Sequence, residues 1–510
     1  MSGIRVTYSG LVSLSFGLAK IIVGLFFVTI ITRLLLVEEF GTWALISGLF
    51  VYGVVLSPIF SFWATRETAR KINSGKTSVL AEGLFSVAGM GIYILAVMLV
   101  SPQTDVDHNV LIFAVLLIPA MYIHKILSAI NVGWKPHTVP LSNFYADVTK
   151  IPLVLIFLYY LDMGVVGVVI AFFVGYVIND IMLLWYGREK IKNKIKKEFI
   201  QKWLKISWLP LYPQIAPLVG RSDIVIFTVI TGSVIGLAYY SAALVIAGIV
   251  GFAGAFSIGV YGKLLGEERK NYLGHSITLQ TYFMILFAGL SIIFAEYGLF
   301  VLNPIYQIAS LIVIILTIRI FFQTLNTLFS NILTGIEDVD TKVESKFKDY
   351  IKSKLFVVPT IQLIQTISYV CLLSFVLIIS SDTSTQLELV VWWVLLAVCV
   401  EIPLTIFLLK LIRKSVEINI EKIRIGKYLV VAIIVFGTTF MFLDQNEISN
   451  SWFFQPDQLH GVNGLIEFLP PLLFFVILSS ISYFIITGII DSKIRNLFMS
   501  IIHEVKKTKL

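Results

Sequence analysis

The sequence predicts an all-α polytopic membrane protein of about fourteen transmembrane helices, arranged as two parallel six-helix lobes followed by two C-terminal helices. Three observations carry that reading. Of 510 residues, 57% are hydrophobic and 14% are charged, against about 45–50% and about 25% in soluble domains. Mean hydropathy is +0.90. Apolar runs long enough to cross a bilayer recur along the whole chain, and basic residues collect in alternate loops between them.

Crossing the hydrocarbon takes about 20 mostly apolar residues. On that template the spans fall at residues 8–33, 42–62, 78–100, 109–130, 143–161, 164–187, 206–230, 234–261, 275–302, 305–333, 354–380, 388–410, 428–443 and 466–490. The first follows Arg5 and lacks a small-residue cleavage signature, so it reads as a retained span rather than a signal peptide. The loop at Asp162 is very short, and the run 206–230 is interrupted by Pro210, Pro213 and Pro217. A count of twelve or thirteen spans is the alternative. Cys371 and Cys399 both lie in apolar runs and set up neither a disulfide framework nor a metal site.

Orientation follows from the basic residues, which accumulate on the cytoplasmic side of a membrane protein. Of the 39 Lys and Arg, 33 fall in the termini and the loops on one side; the other set of loops carries none. Those other loops hold Glu38, Glu39, Asp105, Asp107, Asp382, Asp444, Glu447 and Asp457. Both termini are expected to be cytoplasmic. The richest loop, 188–205, carries eight cations near mid-chain. It reads as a solvated linker, with anionic lipid headgroups as the functional alternative. The expected divisions are therefore a lobe at 1–187, the basic linker 188–205, a second lobe at 206–412, and two further helices with a tail at 413–510. Weak repeats support them. Leu127-Ser-Ala-Ile-Asn-Val-Gly133 closes the fourth span and Phe329-Ser-Asn-Ile-Leu-Thr-Gly335 the tenth, while Gly41-Thr-Trp and Gly236-Leu-Ala-Tyr open the second and eighth. Six spans per half make the repeats parallel, and such halves place a substrate site between them.

The extramembrane segments leave little room for catalysis. Gly75-Lys76-Thr77 lacks the upstream glycine of a phosphate loop, no His-Glu-x-x-His occurs, and the six histidines are scattered. The segment 444–465, with Trp452-Phe-Phe-Gln, reads as interfacial. No enzyme activity, cofactor, metal or nucleic-acid partner is expected.

Six cations lie inside expected spans: Lys20, Arg33, Lys125, Lys150, Arg221 and Arg319. Arg33, Lys125 and Lys150 are close enough to a span end to snorkel. Lys20, Arg221 and Arg319 are deep, where each costs about 2.5–3.5 kcal/mol on the insertion scale. Such residues either pair with acids or face a hydrated path for a negative cargo. The acids available for pairing or ion coupling are Asp223, Asp147, Glu296 and Glu401, with Asp180 less readily placed. A guanidinium facing the path can grip a phosphate with two parallel hydrogen bonds.

Several junctions resemble one family in order and spacing. Thr32-Arg33-Leu-Leu-Leu-Val-Glu-Glu-Phe40-Gly41-Thr-Trp43 resembles the span 1–2 junction of Wzx-type polysaccharide flippases, within the multidrug/oligosaccharidyl-lipid/polysaccharide exporter superfamily. Arg221-Ser-Asp223 resembles the family's acidic position in span 7, and Gly236 with Tyr239 its span 7–8 junction. Asn303-Pro-Ile-Tyr306 resembles its span 9–10 junction and Ile332-Leu-Thr-Gly335 its span 10 end. The resemblance covers most of residues 8–412 and the two additional spans. Tyr261-Gly-Lys departs from it, standing where many members carry proline.

The resemblance implies a V-shaped pair of lobes around a cationic central cavity in the plasma membrane of a bacterium or archaeon. Its cargo is expected to be a polyprenyl-diphosphate-linked oligosaccharide, as in O-antigen and other polysaccharide assembly, flipped from the inner to the outer leaflet by alternating access. Lys20, Arg221 and Arg33 are the expected diphosphate contacts. Asp223, Glu401 and Arg319 are the expected ion-coupling or ion-pairing groups. Membrane lipids and polysaccharide-assembly proteins are the further partners. The rivals are a drug or cation exporter of the same superfamily, and an integral-membrane glycosyltransferase or polymerase.

Overall fold

The computed structural model describes residues 22–254, 269–336, 353–415, 421–445 and 462–496, with Ala19 and Met499. Lys20, the Tyr261-Gly-Lys segment and the interfacial segment around Trp452 lie outside the described residues. Every regular element among the described residues is helical. Among the described residues, twelve helices of 18 to 32 residues are long and apolar enough to cross a membrane, or thirteen if one bent pair counts as a single span. A shorter apolar helix, Ile22–Leu34 (α1), holds the described part of the first expected span.

The chain divides into two compact units: Met1–Ser241 with Gln362–Val390, and Ala242–Ile361 with Val391–Leu510. The first unit contains α1, the bent pair α2 (Val37–Gly53) and α3 (Pro58–Ala69), α4 (Gly75–Val100), α5 (His108–Trp134), α6 (Thr138–Tyr160) and α7 (Gly164–Ile191). It also contains α8 (Lys197–Lys205), α9 (Trp208–Gly220) and α10 (Ser222–Thr231), the start of α11 (Ile235–Gly254), and parts of two later helices.

The periodicity of α4 shows how such a helix sits. Glu82, Ser86, Gly89, Tyr93, Val97 and Val100 are buried, whereas Leu84, Val87, Leu95 and Met98 are exposed. The steps of three and four put each set on one face. Small and hydroxyl residues face helices because close backbone approach and interhelical hydrogen bonds hold membrane helices together, while the apolar face meets lipid. A Cβ at Gly89 would lie 2.4 Å from the Gly53 carbonyl oxygen, so only glycine lets α4 touch the end of α2. Tyr122 of α5 donates to that same carbonyl at 3.0 Å.

The second expected span is not straight: α2 and α3 meet at 68°. The break at Val54–Ser57 precedes Pro58, whose ring lacks an amide donor and so interrupts the helical ladder. The repeat motif at the end of α5 also has a packing reason. Asn131 donates to the Leu183 carbonyl of α7 at 2.9 Å, and Gly133 lies so close to α3 that a Cβ would sit 2.5 Å from the Thr65 carbonyl oxygen. In the turn between α6 and α7, Asp162 and Gly164 both take positive φ (48° and 52°). The basic segment 188–205 ends in an amphipathic helix, α8, whose Trp203 is fully buried and donates to Glu67 at 3.2 Å.

The second unit contains the rest of α11, α12 (Arg269–Ile293), α13 (Ala295–Leu302), α14 (Pro304–Gly335) and the start of α15 (Lys354–Ser380). Most of α16 (Gln386–Ser415), α17 (Lys422–Gln445) and α18 (Val462–Ile490) complete it. An aromatic cluster binds α17 and α18 to α12. Tyr282 lies 4.9 Å from Tyr428 and 5.2 Å from Tyr483, ring centre to ring centre, and its hydroxyl bonds to Thr487 at 2.9 Å.

Candidate functional site

The seventh expected span consists of α9 and α10, which meet at Arg221. Pro213 and Pro217 remove amide donors from α9, and the Arg221 amide still reaches the Pro217 carbonyl at 3.1 Å. The two candidate residues at this junction differ in environment. Arg221 is exposed, whereas Asp223 is 4% exposed. One Asp223 oxygen accepts from the Ile224 amide at 2.8 Å and the other from the Tyr369 hydroxyl of α15 at 2.9 Å. Tyr52 of α2 faces the same carboxylate. Asp223 thus ties α10 to α15 within the first unit, leaving an exposed cation two residues away. Arg33 lies half-buried one residue before the end of α1.

Lys150 is stowed rather than presented. It pairs with Asp147 one turn earlier on α6 at 2.5 Å, and its ammonium lies 4.5 Å from the centre of the Phe172 ring. That pairing is among those the sequence suggests. In the second unit Glu401 of α16 accepts from Asn326 of α14 at 2.6 Å, and the half-buried Arg319 is near enough for its charge to act on Glu401. The structure therefore groups Glu401 with Arg319, and Asp223 with Tyr369 and Tyr52.

A further polar group in the first unit centres on an acid, Glu82, that is absent from the sequence-based candidates. Glu82 of α4 is fully buried and accepts a hydrogen bond from Ser57, the last residue of the α2–α3 break. Lys125 of α5 is near enough for the two charges to act on each other. Next to Lys125 in sequence, His124 bonds to Asp180 of α7 at 3.2 Å, which gives Asp180 a partner. The sequence signal for this group was an acid one turn inside the expected span 78–100.

Two cavities in the first unit are bounded by described residues. One, of about 480 Å³, is lined by Ser61, Thr65, His124, Lys125, Ser128 and Gln214 together with apolar side chains. The other, of about 530 Å³, is bordered by Glu38, Glu39, Asp105 and Asp107 at the helix ends away from the basic loops. Among the described residues no group of His, Cys, Asp and Glu is arranged to hold a metal.

No protein-family model matches the sequence, and no curated protein matches it. Solved structures do match. The chain aligns with lipid II flippase MurJ in an inward closed conformation at 15% identity and a TM-score of 0.59, covering 92% of this chain and 98% of that one. It aligns with an inward-facing multidrug resistance MATE family transporter of the MOP superfamily at 15% identity and a TM-score of 0.55, covering 79% and 98%. The chain has the fold of MOP-superfamily transporters. It is a multi-pass membrane protein on the evidence of its helices and this fold.

Proposed function

We propose that the chain is a flippase for a polyprenyl-diphosphate-linked oligosaccharide, working by alternating access. The observation that carries the proposal is the set of cations within apolar helices, with the exposed Arg221 at the junction of α9 and α10 foremost. A diphosphate cannot enter hydrocarbon without polar compensation, because desolvating an unpaired ionised group costs tens of kcal/mol in a medium of low dielectric. A path bearing guanidinium and ammonium groups lowers that barrier, and a guanidinium can grip phosphate oxygens in parallel. The isoprenoid tail stays in lipid. The fold match to lipid II flippase MurJ, which extends over 92% of this chain, suits a lipid-linked cargo.

The buried Asp223, the half-buried Glu401 and the acid-bordered cavity favour a second reading as a drug or cation exporter. Complementation separates the two. Lys20→Gln and Arg221→Gln are each expected to abolish rescue of flippase-deficient cells while reaching normal levels in the membrane. Full rescue by both variants overturns the flippase reading, and dye efflux that depends on the intact protein supports the exporter.

A further inference from the structure

The 480 Å³ cavity beside α5 mixes polar and apolar side chains, and Lys125 is the lysine among them. Lys125, His124, Gln214, Ser61, Thr65 and Ser128 form its polar lining, the Ser61 and Thr65 hydroxyls already donating to backbone carbonyls, and none of its described lining residues is acidic. Its volume is that of small-ligand pockets, about 300–1,000 Å³. Lys125 has a second neighbour behind the wall, the carboxylate of Glu82. We propose that this cavity is a proton-linked site for a tetrahedral oxyanion, a phosphate-type group, held by Lys125 and switched by Glu82.

The switch follows from how Glu82 is held. Its side chain has no exposure, one oxygen accepts from Ser57, and the other is buried with no hydrogen-bond partner among the described residues. A buried carboxylate half-satisfied in this way is costly while ionised, and a proton on the empty oxygen removes that cost. The titratable groups that face it are Lys125 and Tyr122, both from α5. From the α2–α3 break it meets Ser57. With Glu82 ionised, its charge offsets Lys125 and the cavity wall is near neutral. With Glu82 protonated, the Lys125 charge is uncompensated and draws an anion. Anion binding and proton uptake then favour each other by the same factor, as linkage requires. Affinity falls as pH rises through the titration of Glu82. His124 adds charge in the same direction when protonated, but it is held by Asp180 and Ser128, at 3.2 and 3.4 Å, on the other side of Lys125.

The site lies within one compact unit and its probe is a free ion, so it can be tested whether or not the flippase reading holds. Sulfate is the probe, because its own charge does not change between pH 6 and pH 8. Calorimetric titration of the purified full-length protein is expected to give affinity at least about fivefold higher at pH 6 than at pH 8, the low end of coupling between linked sites. Glu82→Gln is expected to bind at pH 8 as the unaltered protein does at pH 6, Lys125→Met to lose binding, and His124→Gln to keep most of the pH dependence. Buffers of different ionisation heat report proton uptake directly on the unaltered protein, so the test survives a Glu82 variant that fails to fold. Absence of sulfate binding, binding indifferent to Lys125→Met, zero proton uptake, or an unchanged pH profile in Glu82→Gln each overturns the proposal. In lipid nanodiscs, weaker sulfate binding with phosphatidylglycerol than with phosphatidylcholine supports the site and names a lipid headgroup as its occupant. Equal binding in both supports it for a free or cargo-borne oxyanion.

Discussion

Gly89 and Tyr369 set the scale at which single side chains decide this molecule. Gly89→Leu has to push the Gly53 carbonyl away from α4, since even a Cβ would approach it to 2.4 Å. Overpacking of this kind costs about 1–3 kcal/mol, and it should appear as a lower unfolding temperature of the detergent-solubilised protein. Tyr369→Phe removes the donor from the buried Asp223 carboxylate. Losing a bond to a charged group costs about 1.5–3 kcal/mol, so this variant should unfold earlier, with the deficit shrinking when Asp223→Asn is added. At this scale the sequence was partly legible. A charge in an apolar run stands out in any sequence, which is how Arg33, Arg221, Arg319, Asp223 and Glu401 were found. Their partners did not stand out. Tyr369 is 146 positions from Asp223, and nothing in a tyrosine's local pattern says that its hydroxyl meets a carboxylate. Glu82 lies near the edge of the expected span 78–100, and its partner Ser57 comes from the break in the preceding helix pair.

The elements divide in the same way. Apolar length and loop charge placed the helices, because both are properties of continuous stretches. Pro58 marks a break, but the 68° size of the bend between α2 and α3 was hidden, since Val54–Leu56 are as apolar as the helices on either side. At the end of α18, Asp491 accepts from Tyr428 at 2.5 Å, from the Lys493 amide at 2.9 Å, and lies 3.5 Å from Arg424. Beside it Glu421 pairs with Arg424 at 2.6 Å and Lys493 at 2.7 Å. Burial pushes both carboxyls up, but these bonds and charges outweigh it and hold both below the usual carboxylate range. A depressed carboxylate stabilises the fold above its unfolded pKa, about 3.9 for Asp and 4.3 for Glu, and that stability is lost as pH falls through the lower folded value. The contact between α17 and α18 should therefore hold at neutral pH and loosen below about pH 4. Asp491→Asn should remove part of that acid sensitivity and lower stability at pH 7, as read by thermal unfolding at each pH.

For the whole molecule, the charge bias across the loops predicts which way up the protein sits. After replacement of Cys371 and Cys399, a cysteine at Asp105 should react with an impermeant maleimide added to intact cells, and one at Lys194 only after lysis. The opposite pattern would invert the proposed orientation, and with it the direction in which a cargo crosses. The fold class was readable from composition, because lipid contact demands a surplus of apolar residues that nothing else explains. The cargo was not readable in that way, since cations and acids both occur in the spans and either can serve as pairing groups or as ligands.

The lengths of the helices carry a mechanical consequence. At about 1.5 Å per residue, the 32 residues of Pro304–Gly335 and the 30 of Gln386–Ser415 extend about 48 and 45 Å, against a hydrocarbon slab of about 30 Å. Neither fits upright within the oil. Each has to lean, project into the headgroups or thicken the lipid around it, at fractions of a kcal/mol per ångström of mismatch. The surrounding bilayer is thus a mechanical load on the protein, and acyl-chain length alone should shift its activity in reconstituted vesicles.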